Sequence, residues 1–212
     1  MPEEEKTLEN KNFHEQSIKA AIEGAQLQLE PTKVGEGLMD ILHDRFGVLS
    51  LSRTNSNLLM WSHYTDANTG YVIGFNEEHD FFKQRDHEGN IVRALPVLYT
   101  EKRKPISNKH NNWYQKLLCT KPIDWAYEEE ERLFLTFPNK EDTIGKDKYG
   151  VDIILSALPA DAISAIYIGF KATEQTESQI IKAVKDNLKC PIYKASMSKT
   201  EYKIEFVQIN SA

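Results

Sequence analysis

Residues 165–209 read AIYIGFKATEQTESQIIKAVKDNLKCPIYKASMSKTEYKIEFVQI. Ala165 to Phe170 is apolar enough for a buried strand that ends near Gly169. Ile180, Ile181, Val184 and Leu188 then recur at helical spacing, so Glu174 to Leu188 reads as a helix with those residues inward. Ile192 to Ala195 and Tyr202 to Ile209 return to strand, and the second alternates as a half-buried strand does. With six or more strands and four or five helices along the chain, this pattern predicts an α+β fold. A mixed or mostly antiparallel sheet with flanking helices is expected.

Working back toward the N-terminus, Val151 to Leu155 is apolar, and Pro159 and Asp161 read as helix-start residues. Residues 138–150, rich in Asn, Asp, Gly and Lys, predict a loop. Trp125 to Phe137 reads as a strand, and Trp113, Leu117 and Leu118 suit a helix. Residues 100–112 are basic and polar and read as a loop. Ile91 to Tyr99 is extended and broken by Pro96, residues 87–90 have turn chemistry, and 77–85 suit a short helix. Gly70 opens a strand at Tyr71–Phe75. Asn55 or Asn57 caps a helix over Leu58 to Tyr64, and Val48 to Ser52 is a short strand. Leu38, Ile41, Leu42 and Phe46 keep helical spacing up to Gly47. Ile18, Ile22, Ala25 and Leu29 do the same up to Pro31. Residues 1–12 read as a flexible N-terminus. No internal repeat is present and composition is level, so residues 13–212 read as one domain.

The 212 residues carry 26 Lys and Arg against 32 Asp and Glu, a formal charge of −6. A net-acidic chain is a poor broad duplex-DNA binder. No apolar run approaches the roughly 18 residues of a transmembrane helix, so no membrane partner is expected. The acidic opening, MPEEEKTLEN, is unlike a secretory leader. Cys119 and Cys190 read as free thiols of a reducing compartment, which points to the cytoplasm. No Gly-rich phosphate loop with Gly-Lys-Ser/Thr and no Gly-x-Ser-x-Gly elbow occurs. The six histidines and two cysteines lack zinc-like spacing, and no metal is expected.

Three segments carry candidate chemistry. In Trp125-Ala-Tyr-Glu-Glu-Glu-Glu-Arg132, a strand puts Glu128, Glu130 and Arg132 on one face. Repulsion between the glutamates raises one pKa, and Arg132 lowers it. An acidic edge strand that resists aggregation would carry the same charges. In Ser50-Leu-Ser-Arg-Thr54, Ser52 and Thr54 offer hydroxyls to a ligand or serve ordinary turn and cap bonds. In Met60-Trp-Ser-His-Tyr64, Trp61, His63 and Tyr64 wall a pocket, with His63 as acid or base, or simply fill a core. A basic loop with Lys102, Arg103, Lys104, Lys109 and His110 lies beside Trp113 and Tyr114. Such residues hold a short single strand by charge and stacking, or form a solvated loop.

These segments, in order, resemble a bacterial family of unknown function, the domain numbered twenty-nine seventy-one. The resemblance lies in LSLSRTNSNLLMWSHYTDANTGYVIGF (49–75), WAYEEEERLF (125–134) and AIYIGF (165–170), and runs from about residue 45 to the C-terminus. The family's usual first strand, a Tyr-Lys-Tyr-Arg-like segment with Asn-Asp-Pro, has no counterpart in the first 45 residues, which read as helix. More distantly, a Ser-x-Thr strand followed by Glu-x-Glu is similar to mono-ADP-ribosyltransferases, which split NAD at the nicotinamide–ribose bond. That similarity implies NAD as co-substrate and Glu130 as the catalytic glutamate, stabilising an oxocarbenium-like transition state. It implies that Glu128 orients the acceptor and Arg132 keeps Glu130 ionised. Ser52, Thr54 and His63 then join the NAD-binding set, with Trp61 or Tyr64 stacking on nicotinamide.

Two functions follow from these readings. One is an NAD-directed ADP-ribosyl or glycosyl transferase acting in a toxin or in anti-phage defence, with a protein or short nucleic-acid acceptor. The other is a non-catalytic module that binds a nucleotide or a partner through the same pocket.

Overall fold

The computed structural model describes residues 46–85, 91–103, 113–136 and 143–209. The helices expected before residue 46, the flexible N-terminus, the turn at 87–90 and most of the basic loop lie outside the described residues. Strands β1 (Phe46–Ser52) and β2 (Tyr71–Phe75) enclose helix α1 (Leu58–Tyr64). Four short strands follow: β3 (Gln84–Arg85), β4 (Ile91–Val92), β5 (Leu95–Pro96) and β6 (Leu98–Thr100). Helix α2 (Trp113–Leu118) leads into β7 (Thr120–Pro122), β8 (Glu130–Thr136), β9 (Thr143–Lys146) and β10 (Asp152–Ile154). The chain closes with β11 (Ile163–Ile168), α3 (Glu174–Asn187), β12 (Ile192–Met197) and β13 (Ile204–Ile209). Helices and mixed sheets make the α+β class expected from residues 165–209.

The chain divides into two compact units. Among the described residues the smaller takes in 46–49, 84–85, 91–93, 134–136 and 143–156, with β3 paired to β4 and β9 to β10, both antiparallel. The larger takes in 50–83, 94–103, 113–133 and 157–209. Its main sheet has the order β13-β12-β11-β2. β11 and β12 are parallel, joined by α3, while β2 and β13 run antiparallel to their neighbours. Parallel strands need a long crossover, and a helix that buries one apolar stripe on the sheet supplies it. Ile180, Ile181 and Leu188 of this segment accordingly pack with buried Val184 against Ile166, Ile168 and Ile192. Thr173 opens α3 by accepting the Thr176 N–H at 3.1 Å.

The other face of the sheet is closed by α1. Trp61 is 1% exposed and sits with Ala195 and Ile204 among Val72, Tyr167 and Phe206. Its indole N–H donates to the Asn55 carbonyl at 2.6 Å, which satisfies the one polar atom the ring carries into the core.

Close backbone packing holds the loop between α1 and β2. Asp66, Ala67 and Asn68 take positive φ in succession, at 49°, 53° and 73°. Each such non-glycine residue costs roughly 1 kcal/mol or more. Hydrogen bonds from Ala67 N–H to Ser62 and from Gly70 N–H to Thr65 offset that cost. Gly169 passes so near this turn that a Cβ there would meet the Asn68 carbonyl oxygen at 2.2 Å.

Local structure departs from the sequence reading at several points. Phe46 opens β1 rather than closing a helix. Only Asp80–Phe82 of the 77–85 segment is helical, as a 3-10 turn capped by His79. Thr143–Lys146, within a segment read as loop, is a strand, because hairpin pairing to β10 supplies its backbone partners. Ile123–Glu128 is a 3-10 helix rather than the first half of a strand. Pro122 precedes it and lacks the N–H that a longer ladder needs.

Candidate functional site

The 3-10 helix ends at Glu129, whose φ of 45° is left-handed. That single turn reverses the backbone, and β8 starts at Glu130. Glu128 and Glu130 therefore reach the same ammonium group, although only Glu130 belongs to the strand. β8 lies between β1 and β5. The strand that carries Glu130 and Glu131 is thus at the centre of a sheet, not on an edge, and Glu128 and Glu130 are both buried, at 3% and 6% exposure. On the opposite face of the same strand, Leu133 is fully buried.

Buried carboxylates need donors, because an unpaired charge away from water costs several kcal/mol. Arg132 forks onto Glu130, with Nε 2.7 Å from Oε1 and Nη2 3.0 Å from Oε2. Its Nη1 donates to the Leu118 carbonyl. Lys121 Nζ stands 3.2 Å from Glu130 Oε2 and also donates to Glu128 Oε2. The Tyr64 hydroxyl donates to Glu128 Oε1 at 2.6 Å. Ser50 on β1 also favours the ionised form of Glu130. Two carboxylates, one ammonium and one guanidinium make a charge-balanced cluster.

The surrounding elements hold these groups in place. β6 and β7 are parallel with Tyr99 opposite Lys121. The pair delivers both side chains to Glu130, whose N–H donates to Tyr99 Oη at 2.8 Å. Asn57 caps α1 by accepting from Leu59 and Met60, while its Nδ2 donates to the Tyr127 carbonyl at 3.2 Å. One side chain thus joins α1 to the 3-10 helix, and Tyr64 at the end of α1 comes to rest on Glu128. Arg53 completes the frame, donating from its N–H to the Glu129 carbonyl and pairing with Glu131 at 2.8 Å.

The electrostatics follow from these contacts. Burial opposes ionisation of Glu130, but the bonds from Arg132, Ser50 and Lys121 outweigh it and hold the carboxyl at about 2. Tyr64 is pushed up to about 12, first by its bond to Glu128, then by burial and by the Glu128 charge. Burial works against the Lys121 charge, and the two glutamates more than restore it. Burial also raises the Cys119 thiol despite Arg132 nearby.

The residues singled out from the sequence take different places in the structure. Glu128, Glu130, Arg132 and Tyr64 come together in one cluster. Ser52 is adjacent but serves the backbone, its hydroxyl donating to the Glu128 carbonyl at 2.7 Å. Thr54 Oγ1 lies 3.4 Å from Ser56 Oγ in the same turn. Trp61 is a core residue with no ring face left for a ligand. His63 is exposed, its ring 6.1 Å from that of Tyr127, which lies 6.1 Å from Trp125. Lys121 Nζ stands 4.8 Å from the Trp125 ring centre. These rings, with His63 and Trp125 exposed and Tyr127 half-buried between them, form an aromatic ledge beside the cluster. Of the basic loop, Lys102 and Arg103 are exposed and the remaining members lie outside the described residues.

Sequence reading missed Lys121, Ser50 and Tyr99. Lys121 stands alone between a cysteine-threonine pair and a proline, and nothing local marks it. The register of β7 against β6 is what brings it to the glutamates. Among the described residues, no group of three or more His, Cys, Asp or Glu side chains is placed to hold a metal ion. No helix among them is long and apolar enough to cross a membrane.

No curated protein and no solved structure matches the chain. Residues 60–133, the segment that supplies Tyr64, Lys121, Glu128, Glu130 and Arg132, match the family of proteins of unknown function DUF2971.

Proposed function

We propose that the Glu128–Glu130 cluster is the centre of an NAD-directed glycosyl transferase of the ADP-ribosyl type. The observation that supports this reading is a buried carboxylate, Glu130, kept ionised by Arg132, Ser50 and Lys121 beside an aromatic ledge. Breaking the nicotinamide–ribose bond develops positive charge on the ribose. A fixed anion in a water-poor site stabilises that charge more than it stabilises the ground state. The residues present suit the dinucleotide. Trp125 and Tyr127 offer ring faces for nicotinamide or adenine, a role that buried Trp61 cannot fill. For Glu130 to meet a ribose hydroxyl, one donor must yield. Lys121, at 3.2 Å and shared with Glu128, is held less closely than the Arg132 fork.

A second reading rests on a specific observation. Each oxygen of both carboxylates already has a donor, which is how a structural ion cluster is built. The ledge would then hold a nucleotide or a partner segment without turnover. Calorimetry with NAD and an assay for nicotinamide release separate the two. Release that Glu130→Gln abolishes, in a variant that still unfolds cooperatively, supports the transferase. Heat without release supports the binding module. Neither heat nor release removes NAD from both readings.

A further inference from the structure

Tyr64 is set apart from the rest of the cluster by its exposure. Tyr64 is 59% exposed, whereas Glu128, which it contacts, is 3% exposed. The hydroxyl donates to Glu128 Oε1 at 2.6 Å, and the second oxygen of that carboxylate is held by Lys121. A nucleophile within hydrogen-bond reach of a base, with the base oriented by a third group, is the general arrangement of covalent catalysis. Tyrosine serves as the nucleophile in some glycosidases.

We propose that Tyr64 is a covalent nucleophile that takes the ADP-ribosyl group from NAD, with Glu128 as its base and Lys121 as the residue that positions Glu128. This inference rests on the NAD reading of the same site. In the step, Tyr64 Oη bonds to the anomeric carbon of the nicotinamide-bearing ribose. The carbon–nitrogen bond breaks, and its electron pair passes to the pyridinium nitrogen, which leaves as neutral nicotinamide. The phenolic proton passes to Glu128 Oε1. The pyridinium loses its positive charge and Glu128 its negative one, so charge balances without an oxidant, a metal or a co-reactant.

Glu128 and Glu130 then have separate tasks. Glu130, its carboxylate clamped by Arg132, remains an anion and stabilises charge on the ribose. Glu128 takes the proton. The high pKa of Tyr64 keeps the phenol protonated at rest, so its proton leaves only as the new bond forms. Lys121 touches both carboxylates and, by holding Glu128 Oε2, leaves Oε1 facing Tyr64.

The test is to incubate the full chain with NAD, quench in acid, and map peptides by mass. Nicotinamide release is followed in parallel for the wild type, Tyr64→Phe and Glu128→Gln. The expected result is an ADP-ribosyl adduct on the peptide carrying Tyr64. Tyr64→Phe should lose the adduct and slow release by about 100-fold or more. Tyr64→Phe retains the ring, and a cooperative unfolding transition verifies its fold. In wild type with a small alcohol as acceptor, the product should retain its anomeric configuration, as two successive displacements require. Release at an unchanged rate in Tyr64→Phe, or an inverted product, overturns the inference and leaves the NAD reading standing. Absence of release from wild type overturns the NAD reading and this inference with it.

Discussion

Replacing Glu130 with glutamine tests whether the fold keeps this carboxylate ionised. The group sits at about 2 in the folded chain, against an ordinary value of 4.5. A carboxyl with a depressed folded pKa stabilises the fold above its unfolded value, and the contribution is lost as pH falls through the folded one. At about 1.4 kcal/mol per pH unit, the depression amounts to about 3 kcal/mol at neutral pH. Near pH 3 the same linkage leaves about 1.4 kcal/mol, and below about pH 2 it vanishes. Glutamine keeps the shape and loses the charge, so the variant lacks this contribution at every pH. Urea unfolding, followed by tryptophan fluorescence from about pH 7 to about pH 3, measures the difference between the two proteins. The gap should be widest at neutral pH and close by more than half at the acid end. A gap that stays constant across that range would refute the reasoning, because it would mean that the side chain contributes packing and no ionic stabilisation.

Three further outcomes follow from the same geometry. Gly169→Ala puts a Cβ 2.2 Å from the Asn68 carbonyl oxygen and 2.8 Å from that of Gly70. It should cost about 3 kcal/mol or more. Gly74→Ala, which meets side-chain atoms at 3.2 and 3.3 Å, should cost less than about 1.5 kcal/mol, and equal costs in urea titrations would count against the close-approach argument. Lys121→Met leaves two buried carboxylates without their shared ammonium and should cost about 3 kcal/mol, part of it recovered by adding Glu128→Gln. Strict additivity in that double-mutant cycle would show that the two side chains act independently. Trp61→Ala opens a hole between α1 and the main sheet and should cost about 3–5 kcal/mol in thermal or urea unfolding. A loss below about 1 kcal/mol would place the indole outside the core.

Much of the architecture was legible because it is written in local periodicity. The inward stripe of Ile180, Ile181, Val184 and Leu188 was read correctly, and so were α1 and β2. Their signals lie within a few residues of one another. The acidic segment was read less well. Four successive glutamates after an aromatic run fit a strand, but Pro122 and the left-handed Glu129 make a 3-10 helix and a turn. Whether that strand was edge or centre depended on pairing with β1 and β5, which no local pattern encodes. The pairing of Glu130 with Arg132 was legible, since residues two apart on a strand share a face. Lys121 was not, because it reaches the cluster through the register of β7 against β6, and Ser50 was not, because its strand lies far before β8 in sequence and meets it only in the sheet. Trp61 shows the converse. Its neighbours His63 and Tyr64 are exposed on the same short helix, and only the helix's docking decided which aromatic would face inward.

The place of β2 in its sheet has a consequence for how the molecule assembles. β11, α3, β12 and β13 follow one another without interruption from Ile163 to Ile209, while β2 ends at Phe75 and must be brought in from far upstream. Closing that long loop costs chain entropy that sequential neighbours do not face, so the C-terminal run forms early and β2 docks late. Among the described residues β2 is, like β13, an edge strand of this sheet, and edge strands open more readily than the β11–β12 pair between them. Tyr64 sits just ahead of β2 in the chain. Amide exchange in β2 should therefore report a local opening that carries the phenol away from Glu128 while the β11–β12 pair stays protected.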